Sequence, residues 1–142
     1  MRILGLDVGS KRIGVALSDE LFLTAQGGKT IERKNEKTDL DTIRELIMKE
    51  AVGEVVVGLP LNMNGTESNQ TRDVIAFFES LKGVIDIPIK TWDERLTSVQ
   101  ADHILLEADM SRAKRRKLSD KVAAQLILQS YLDSRKKGEK NV

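Results

Sequence analysis

The chain begins with two apolar runs that are separated by a few turn-forming residues. The first run, Ile3–Val8, contains one carboxylate, Asp7, and the second run covers residues 12–18. Apolar runs joined by a short Gly/Ser/Lys segment are typical of a β-hairpin. Because the first run has too few polar positions for a half-exposed strand, we expect it at the centre of a covered sheet. Burying Asp7 there costs free energy unless a basic side chain or a metal ion compensates its charge.

The hydrophobic pattern beyond residue 18 predicts a third strand, followed by alternating helices and strands. The predicted elements are a strand at 29–33, a helix from the capping box Thr38–Asp41 to Gly53, a strand at 54–59, a helix at 68–82, a strand at 85–92, and two helices that begin near Thr97 and Ser119. Short turns make the first three strands antiparallel, and right-handed crossovers place the last two parallel to the first. We therefore predict an α/β fold with a mixed five-stranded sheet and helices on both faces.

Length and composition limit the kinds of protein that this chain can be. At 142 residues it fits a single domain, 1–142, with 136–142 as a flexible basic tail. The absence of cysteine and the presence of one histidine exclude disulfides, thiolate zinc sites and sites with two imidazoles. The apolar runs are far shorter than the roughly 18 residues of a membrane span, and no signal peptide is recognisable. We therefore expect a cytoplasmic protein.

The net charge of +1 hides an uneven distribution of charge along the chain. Residues 1–110 contain 13 basic and 19 acidic side chains, whereas residues 111–142 contain 10 basic and 3 acidic ones. An acidic body with a basic C-terminal end is found in proteins that bind polyanions, although such ends are also often solvated helix surface.

Acidic residues stand where the predicted strands end. Asp7 ends the first strand, Asp93 and Glu94 end the last one, and Asp120 begins the final helix. The predicted topology brings these positions to one edge of the sheet, where α/β proteins favour ligand sites. Carboxylates without histidine or cysteine suit Mg²⁺ or Mn²⁺, and two such ions about 3.5–4 Å apart can support phosphodiester hydrolysis. Taken singly, each acid is more simply a turn residue, a solvated strand end or a favourable charge at a helix N-terminus.

Four segments, in this order, resemble one known family and together cover essentially the whole chain. They are Asp7–Ala16, Gly58–Thr66, Asp93–Ser98, and Asp120–Ala124 with Ile127–Leu132. The family is YqgF, also called RuvX, whose members are described as pre-16S ribosomal RNA nucleases or Holliday-junction resolvases. The resemblance implies a ribonuclease H-like fold similar to that of the resolvase RuvC, with catalytic, metal-binding acids at Asp7, Glu94 and Asp120. Asn64 departs from the family pattern, which has Asp there, and this bears on a loop contact only.

Basic and polar residues near these acids are candidate substrate contacts. Lys11, Arg12 and Arg95 are expected to contact phosphate, unless they are simply solvated or paired with the acids. A loop after the fourth strand offers backbone N–H groups and a hydroxyl from Asn62, Gly65 and Thr66. The basic run before Asp120 consists of Arg112, Lys114, Arg115, Arg116 and Lys117. Because only 4% of the residues are aromatic, contacts to the nucleic-acid backbone are favoured over base stacking.

The leading hypothesis is a metal-dependent endonuclease, with the 5′ end of pre-16S ribosomal RNA as its expected substrate and two Mg²⁺ or Mn²⁺ ions as cofactors. The alternatives are a resolvase of branched DNA and a non-catalytic nucleic-acid-binding factor in ribosome maturation or transcription. An actin- or sugar-kinase-like ATPase is disfavoured because it needs a second lobe that 142 residues do not supply. Ribosome-assembly factors are further candidate partners, and the oligomeric state is left open between monomer and homodimer.

Overall fold

The computed structural model describes residues 1–94 and 122–135, and five strands of that part form one sheet. They are β1 (Arg2–Val8), β2 (Arg12–Ser18), β3 (Ala25–Glu32), β4 (Val52–Leu59) and β5 (Ile89–Asp93). Their order in the sheet is β3-β2-β1-β4-β5, so β1 is central, as predicted. β2 pairs antiparallel with β1 and β3, whereas β4 pairs parallel with β1 and β5. The predicted mixed sheet is therefore confirmed.

Helices of the described part cover both faces of this sheet. They are α1 (Glu36–Lys49), α2 (Asn69–Lys82) and α3, described over residues 122–135. Leu4 and Leu6 of β1 belong to the hydrophobic core formed with α1 and α2, whereas Ile3 belongs to the core that contains Leu128 of α3. Because side chains alternate along a strand, Asp7 lies on the α3 face. No helix in residues 1–94 and 122–135 is long and apolar enough to cross a membrane.

The first helix begins earlier than the sequence pattern predicted. Asn35 is the N-cap of α1, and its side chain accepts a hydrogen bond from the Thr38 N–H at 2.9 Å. Thr38, the predicted cap, therefore lies within the first turn, since asparagine is at least as good an N-cap as threonine. Asp39 is buried and accepts hydrogen bonds from the Lys34 N–H and from Arg33 Nε. These bonds tie the end of β3 to α1.

The predicted end of this helix at Gly53 is also wrong. Glu50 is the C-cap of α1, and the turn that follows is made by Ala51 with a φ of 52°. Helices often end on a glycine in this left-handed region, but here an alanine takes that conformation. Gly53 lies inside β4, where a Cβ atom would come within 2.6 Å of Met1 Sδ.

Three strands differ in length from the sequence prediction, and β4 begins at Val52, two residues before the predicted start at 54. β3 is longer than the predicted 29–33, because it also pairs Ala25 with Ser18 and Gln26 with Leu17 of β2. β5 is shorter than the predicted 85–92. Pro88 contributes a carbonyl that accepts from a β4 N–H at 2.9 Å, but proline has no N–H of its own to extend the ladder.

Candidate functional site

The carboxyl ends of β1, β4 and β5 lie at the same edge of the sheet. The three strands are parallel, and β4 and β5 end with Leu59 opposite Asp93. Asp7 is the next-to-last residue of β1, and Glu94 directly follows β5. The Glu94 N–H donates to the Leu59 carbonyl at 3.3 Å, which keeps Glu94 attached to this edge. Two of the three predicted catalytic acids, Asp7 and Glu94, are thus at one edge.

Gly58 makes room for the Glu94 side chain beneath α3. Glu94 is only 8% exposed. A Cβ atom on Gly58 would overlap Glu94 Oε2 and would lie 2.5 Å from Ile127 Cδ1 of α3. The Glu94 carboxylate therefore crosses the backbone of β4 on the α3 face, which is also the face of Asp7. A larger residue in place of Gly58 would have to displace the carboxylate or the helix.

The surroundings of Glu94 disfavour its charged form. Burial, followed by the negative charges of Asp7 and Asp93, raises the pKa of the Glu94 carboxyl to about 8. Because the charge of Asp7 acts on Glu94, the two acids lie within electrostatic range of each other. Crowded carboxylates of this kind are stabilised by a shared proton or by a cation. Their oxygen atoms are the ligands that Mg²⁺ and Mn²⁺ prefer.

The remaining predicted ligand, Asp120, lies outside the described residues. The same is true of Arg95, Arg112, Lys114, Arg115, Arg116 and Lys117, so their roles stay predictions. Within residues 1–94 and 122–135, no group of three metal-ligating side chains occurs. A complete set of Asp7, Glu94 and Asp120 is therefore a prediction as well.

Lys11 lies in the β1–β2 turn and Arg12 is the first residue of β2, so both are close in sequence to Asp7. The turn is closed by the Gly9 N–H, which donates to the Arg12 carbonyl at 2.8 Å. Lys11 is exposed and Arg12 is half-buried. Since Asp7 pairs with Gly14 across the hairpin, both basic residues are at the end of the sheet where Asp7 lies. This position is suitable for a phosphate contact.

The loop after β4 is held together by its own hydrogen bonds. The Asn62 N–H donates to the Thr66 carbonyl at 2.9 Å, and the Gly65 N–H donates to the Asn62 carbonyl at 2.8 Å. Asn64 Oδ1 accepts from the Thr66 N–H at 3.1 Å and from the Thr66 hydroxyl at 2.6 Å. An aspartate oxygen could accept the same two bonds, so the departure from the family pattern at Asn64 does not prevent these contacts within the loop. The predicted contact of this loop with phosphate is not tested by these bonds.

The sequence reasoning did not identify the residues that hold α3 on the sheet. Gly5 of β1 lies directly under α3, where a Cβ atom would come within 2.9 Å of Leu128 Cβ. At the edge of the sheet, Gln129 Oε1 accepts from the Ala25 N–H at 2.8 Å, and Gln125 Nε2 donates to the Ala25 carbonyl at 3.1 Å. We call Gln125 and Gln129 the glutamine clamp. Their i,i+4 spacing is a signal of a shared helix face, but it does not reveal the partner strand.

A polar cluster holds the other end of α3. Glu54 of β4 accepts hydrogen bonds from the Tyr131 hydroxyl at 2.8 Å and from Arg135 at 2.7 Å. Trp92 of β5 donates to Ser130 Oγ at 3.1 Å, and its ring meets that of Tyr131 edge-on at 5.5 Å. Both aromatic residues thus serve packing between the sheet and α3, which agrees with the weak sequence signal for base stacking.

Comparison with known proteins agrees with the resemblance of the sequence motifs. The RuvX family, described as "Holliday junction resolvase", matches residues 1–134. A protein of Clostridium acetobutylicum named "Putative pre-16S rRNA nuclease" is 59% identical over 134 residues, which are 94% of this chain and 99% of that protein. A protein of the same name from Desulforamulus reducens is 54% identical over 134 residues, with 94% and 98% covered.

Solved structures support the predicted fold. RuvC of T. thermophilus in complex with a Holliday junction substrate superposes with a TM-score of 0.58 at 17% identity, covering 95% of this chain and 96% of that one. The Fowlpox virus resolvase in complex with Holliday junction DNA gives a TM-score of 0.59 at 13% identity, covering 94% and 98%. The ribonuclease H-like fold is therefore confirmed.

Proposed function

The chain belongs to the RuvX family of Holliday junction resolvases, and we propose that it is a metal-dependent endonuclease that hydrolyses phosphodiester bonds in structured nucleic acid. Within this class, we propose pre-16S ribosomal RNA as its substrate, because relatives that are 54–59% identical carry the name of a pre-16S rRNA nuclease. Branched DNA is the second candidate substrate, since the family description and the two structural relatives refer to Holliday junctions. We further propose a cytoplasmic location, where ribosomal RNA is processed.

The observation that carries this proposal is the convergence of Asp7 and Glu94 at one edge of the sheet. Burial and neighbouring acids raise the pKa of the Glu94 carboxyl to about 8, so placing this carboxyl here lowers the stability of the folded protein at neutral pH. A purely structural site gains nothing in return, whereas a site that binds a divalent cation needs such carboxylates. A cation held by Asp7 and Glu94 would take the place of the proton on Glu94 and would offset the repulsion between the two carboxylates.

The donor set fits Mg²⁺ or Mn²⁺, and we propose that Asp7, Glu94 and Asp120 hold two such ions. Bound there, the ions supply the positive charge that favours deprotonated water and stabilises a departing oxygen during phosphodiester hydrolysis. The protein itself contributes position and burial. The β1 backbone fixes Asp7, while Gly58 and α3 confine the Glu94 carboxylate to one direction. Lys11 and Arg12, at the same end of β1, are proposed to hold the substrate phosphates.

Cleavage of a pre-16S rRNA leader by variants of the two described acids tests the proposal. We expect Asp7→Asn and Glu94→Gln each to lower the Mn²⁺-supported cleavage rate by about 10²-fold or more, because each removes a carboxylate that would hold the ions whose positive charge stabilises the transition state. Binding of the same RNA at low salt should change little. A gel-based cleavage assay and a filter-binding assay measure the two quantities separately.

Matched controls are available on the same chain. Asp86→Asn and Glu79→Gln make the same chemical changes at exposed positions away from the edge, and both should keep wild-type cleavage. Comparing the RNA leader with a four-way DNA junction decides between the two substrates. If all four variants cleave equally well, the activity does not arise from the proposed site.

A further inference from the structure

A cavity opens on the α1/α2 face of the sheet, which is opposite to the face of Asp7, at the same edge of the sheet. It has a volume of about 360 Å³ and lies between the β1–β2 turn and the helices α1 and α2. Val8, Val74 and Phe77 line it with apolar side chains, and Arg33 forms part of its wall. Its volume falls within the range of small-molecule sites, toward the lower end. Because Val8 directly follows Asp7 in β1, the cavity adjoins the proposed active edge.

Arg33 is held in a fixed orientation in this wall. Its Nε donates to Asp39 Oδ2 at 3.3 Å, and its Nη1 donates to the Gly9 carbonyl at 3.0 Å. The guanidinium carbon lies 5.2 Å from the centre of the Phe77 ring, in a cation–π contact. Three contacts therefore define the plane of the guanidinium group. A guanidinium plane of this kind is a surface on which nucleobases stack, and it requires no additional aromatic residue.

The charges around the cavity disfavour a phosphate group. The positive charge of Arg33 is already paired with Asp39, and the cavity is also lined by the exposed acids Glu36 and Asp73. Carboxylates repel phosphate but accept hydrogen bonds from N–H groups. Guanine carries two N–H donors side by side on its Watson–Crick edge, which match the two oxygens of one carboxylate. The lining thus favours a base over a phosphate, and guanine over the other bases.

We propose that this cavity, the base pocket, binds an unpaired purine base, with guanine preferred. Arg33 stacks on the base and Asp73 accepts from its N–H edge. The base can come from the nucleic-acid substrate, as a nucleotide next to the cleaved phosphate, or from a free nucleoside or nucleotide. The first source rests on the proposed nuclease function, whereas binding of a free nucleoside does not depend on it.

Titration of guanosine into the isotopically labelled full chain tests the base pocket directly by NMR. We expect saturable shifts of the backbone amides of Val8, Gly9 and Ser10 and of the α2 residues that line the pocket. Adenosine and uridine should bind more weakly, and inorganic phosphate should not compete. Ala76→Trp, at an exposed position in the lining, should abolish the binding by filling the pocket. Asp73→Asn should weaken guanosine binding about tenfold, in line with the discrimination that a bidentate contact gives.

Glu79→Gln is the matched control, because it removes an exposed acid of α2 outside the pocket lining. It should leave guanosine affinity unchanged. The base pocket is overturned if Ala76→Trp binds guanosine as the wild type does, or if phosphate displaces the nucleoside. Asp7→Asn should bind guanosine normally, so failure of the nuclease proposal and failure of this one are distinguishable.

A cleavage experiment then identifies the source of the base. An RNA substrate with an abasic nucleotide beside the cleaved bond should be cut more slowly by the wild type, and Ala76→Trp should cut the intact RNA equally slowly. Guanosine binding in the pocket, combined with equal cleavage of both RNAs, would support the pocket and assign it to a free nucleoside or nucleotide.

Discussion

The two faces of the sheet are both buried, yet they are built by different means. The face under α1 and α2 is filled by branched and aromatic side chains, including Val55, Phe77 and Leu81. The face under α3 has glycines at its contact points, so the helix approaches the strand backbone at Gly5 and Gly58. The first arrangement buries a large apolar area and so stabilises the fold. The second arrangement fixes the distance between α3 and the backbone of the strands.

Polar contacts also differ between the faces, although the buried Asp39 joins α1 to the segment after β3 on the first face. The α3 face carries the glutamine clamp, the Glu54 cluster and the buried Glu94, and each of these joins α3 or the active edge to the sheet. Hydrogen bonds add little net stability, but they fix orientation more sharply than apolar contacts do. We conclude that one face mainly carries stability, and that the other mainly carries the geometry of the site.

Among the substitutions, Leu81→Ala should produce the largest effect, and the effect should be on stability. Leu81 is fully buried in the core under α2, so its truncation leaves a cavity. We expect the free energy of unfolding to fall by about 2–5 kcal/mol. Urea denaturation followed by circular dichroism measures this loss. The cleavage rate per folded molecule should remain close to the wild-type value; a large drop would contradict the division between the faces.

Gly58→Ala should mainly lower the cleavage rate and should affect stability less. The added methyl group would displace the Glu94 carboxylate or Ile127 of α3. A misplacement of about 1 Å at a catalytic group can cost about 10²-fold in rate, and overpacking costs about 1–3 kcal/mol of stability. We therefore expect a rate loss of about 10²-fold in a protein that still folds. Cleavage and urea denaturation measured on the same preparation check both expectations.

Gly83→Ala is the control for this change. A Cβ atom at Gly83 meets nothing closer than 3.5 Å, and its φ of −72° is open to any residue. The substitution should leave both cleavage and stability at wild-type values. Equal losses in Gly58→Ala and Gly83→Ala would show that Gly58 has no special role at the site.

Much of the fold follows from local sequence patterns, and the parts that do not follow depend on specific side-chain contacts. The two apolar runs and the short turn between them are enough to predict the hairpin, and the scarcity of polar residues in β1 predicts its central position. The start of α1 was missed because Asn35 and Thr38 are both capping residues. The choice between them involves Asp39, whose partner Arg33 lies in the segment after β3. Arg33 is only six residues from Asp39, but hydrophobic periodicity does not report a side-chain contact of this kind.

The candidate site likewise has parts that could be predicted from the sequence and parts that could not. The approach of Asp7 and Glu94 could be predicted because parallel strands end at a common edge. The roles of Gly58 and the glutamine clamp could not be predicted, because they depend on contacts between α3 and the sheet. The sequence does not show which strand residues α3 packs against. The base pocket was missed for a related reason. Its proposed stacking surface is the guanidinium of Arg33. In the sequence alone, this arginine cannot be distinguished from an ordinary charged residue on the surface.

The pH dependence of stability is a third test and reports on Glu94. Its pKa of about 8 in the folded state lies above the ordinary 4.5, so the folded protein retains a proton that the unfolded chain loses. The stabilising contribution is fully present below pH 4.5 and is lost as the pH rises toward 8. Without divalent ions, the free energy of unfolding should therefore fall by up to about 1.4 kcal/mol per pH unit in this window. Glu94→Gln should flatten this slope, and Glu79→Gln should retain it.

Gln125→Met should give the smallest effect and should probe the precision of the α3 face. Methionine keeps the length of the side chain but removes the donor to the Ala25 carbonyl. We expect a loss of about 1 kcal/mol in stability and a rate loss of less than tenfold, since Gln129 still holds the Ala25 N–H. Gln26→Met makes the same change at an exposed position of β3 and should lose neither. If both variants behave alike, the clamp does not position α3, and the glycine contacts alone set its distance from the sheet.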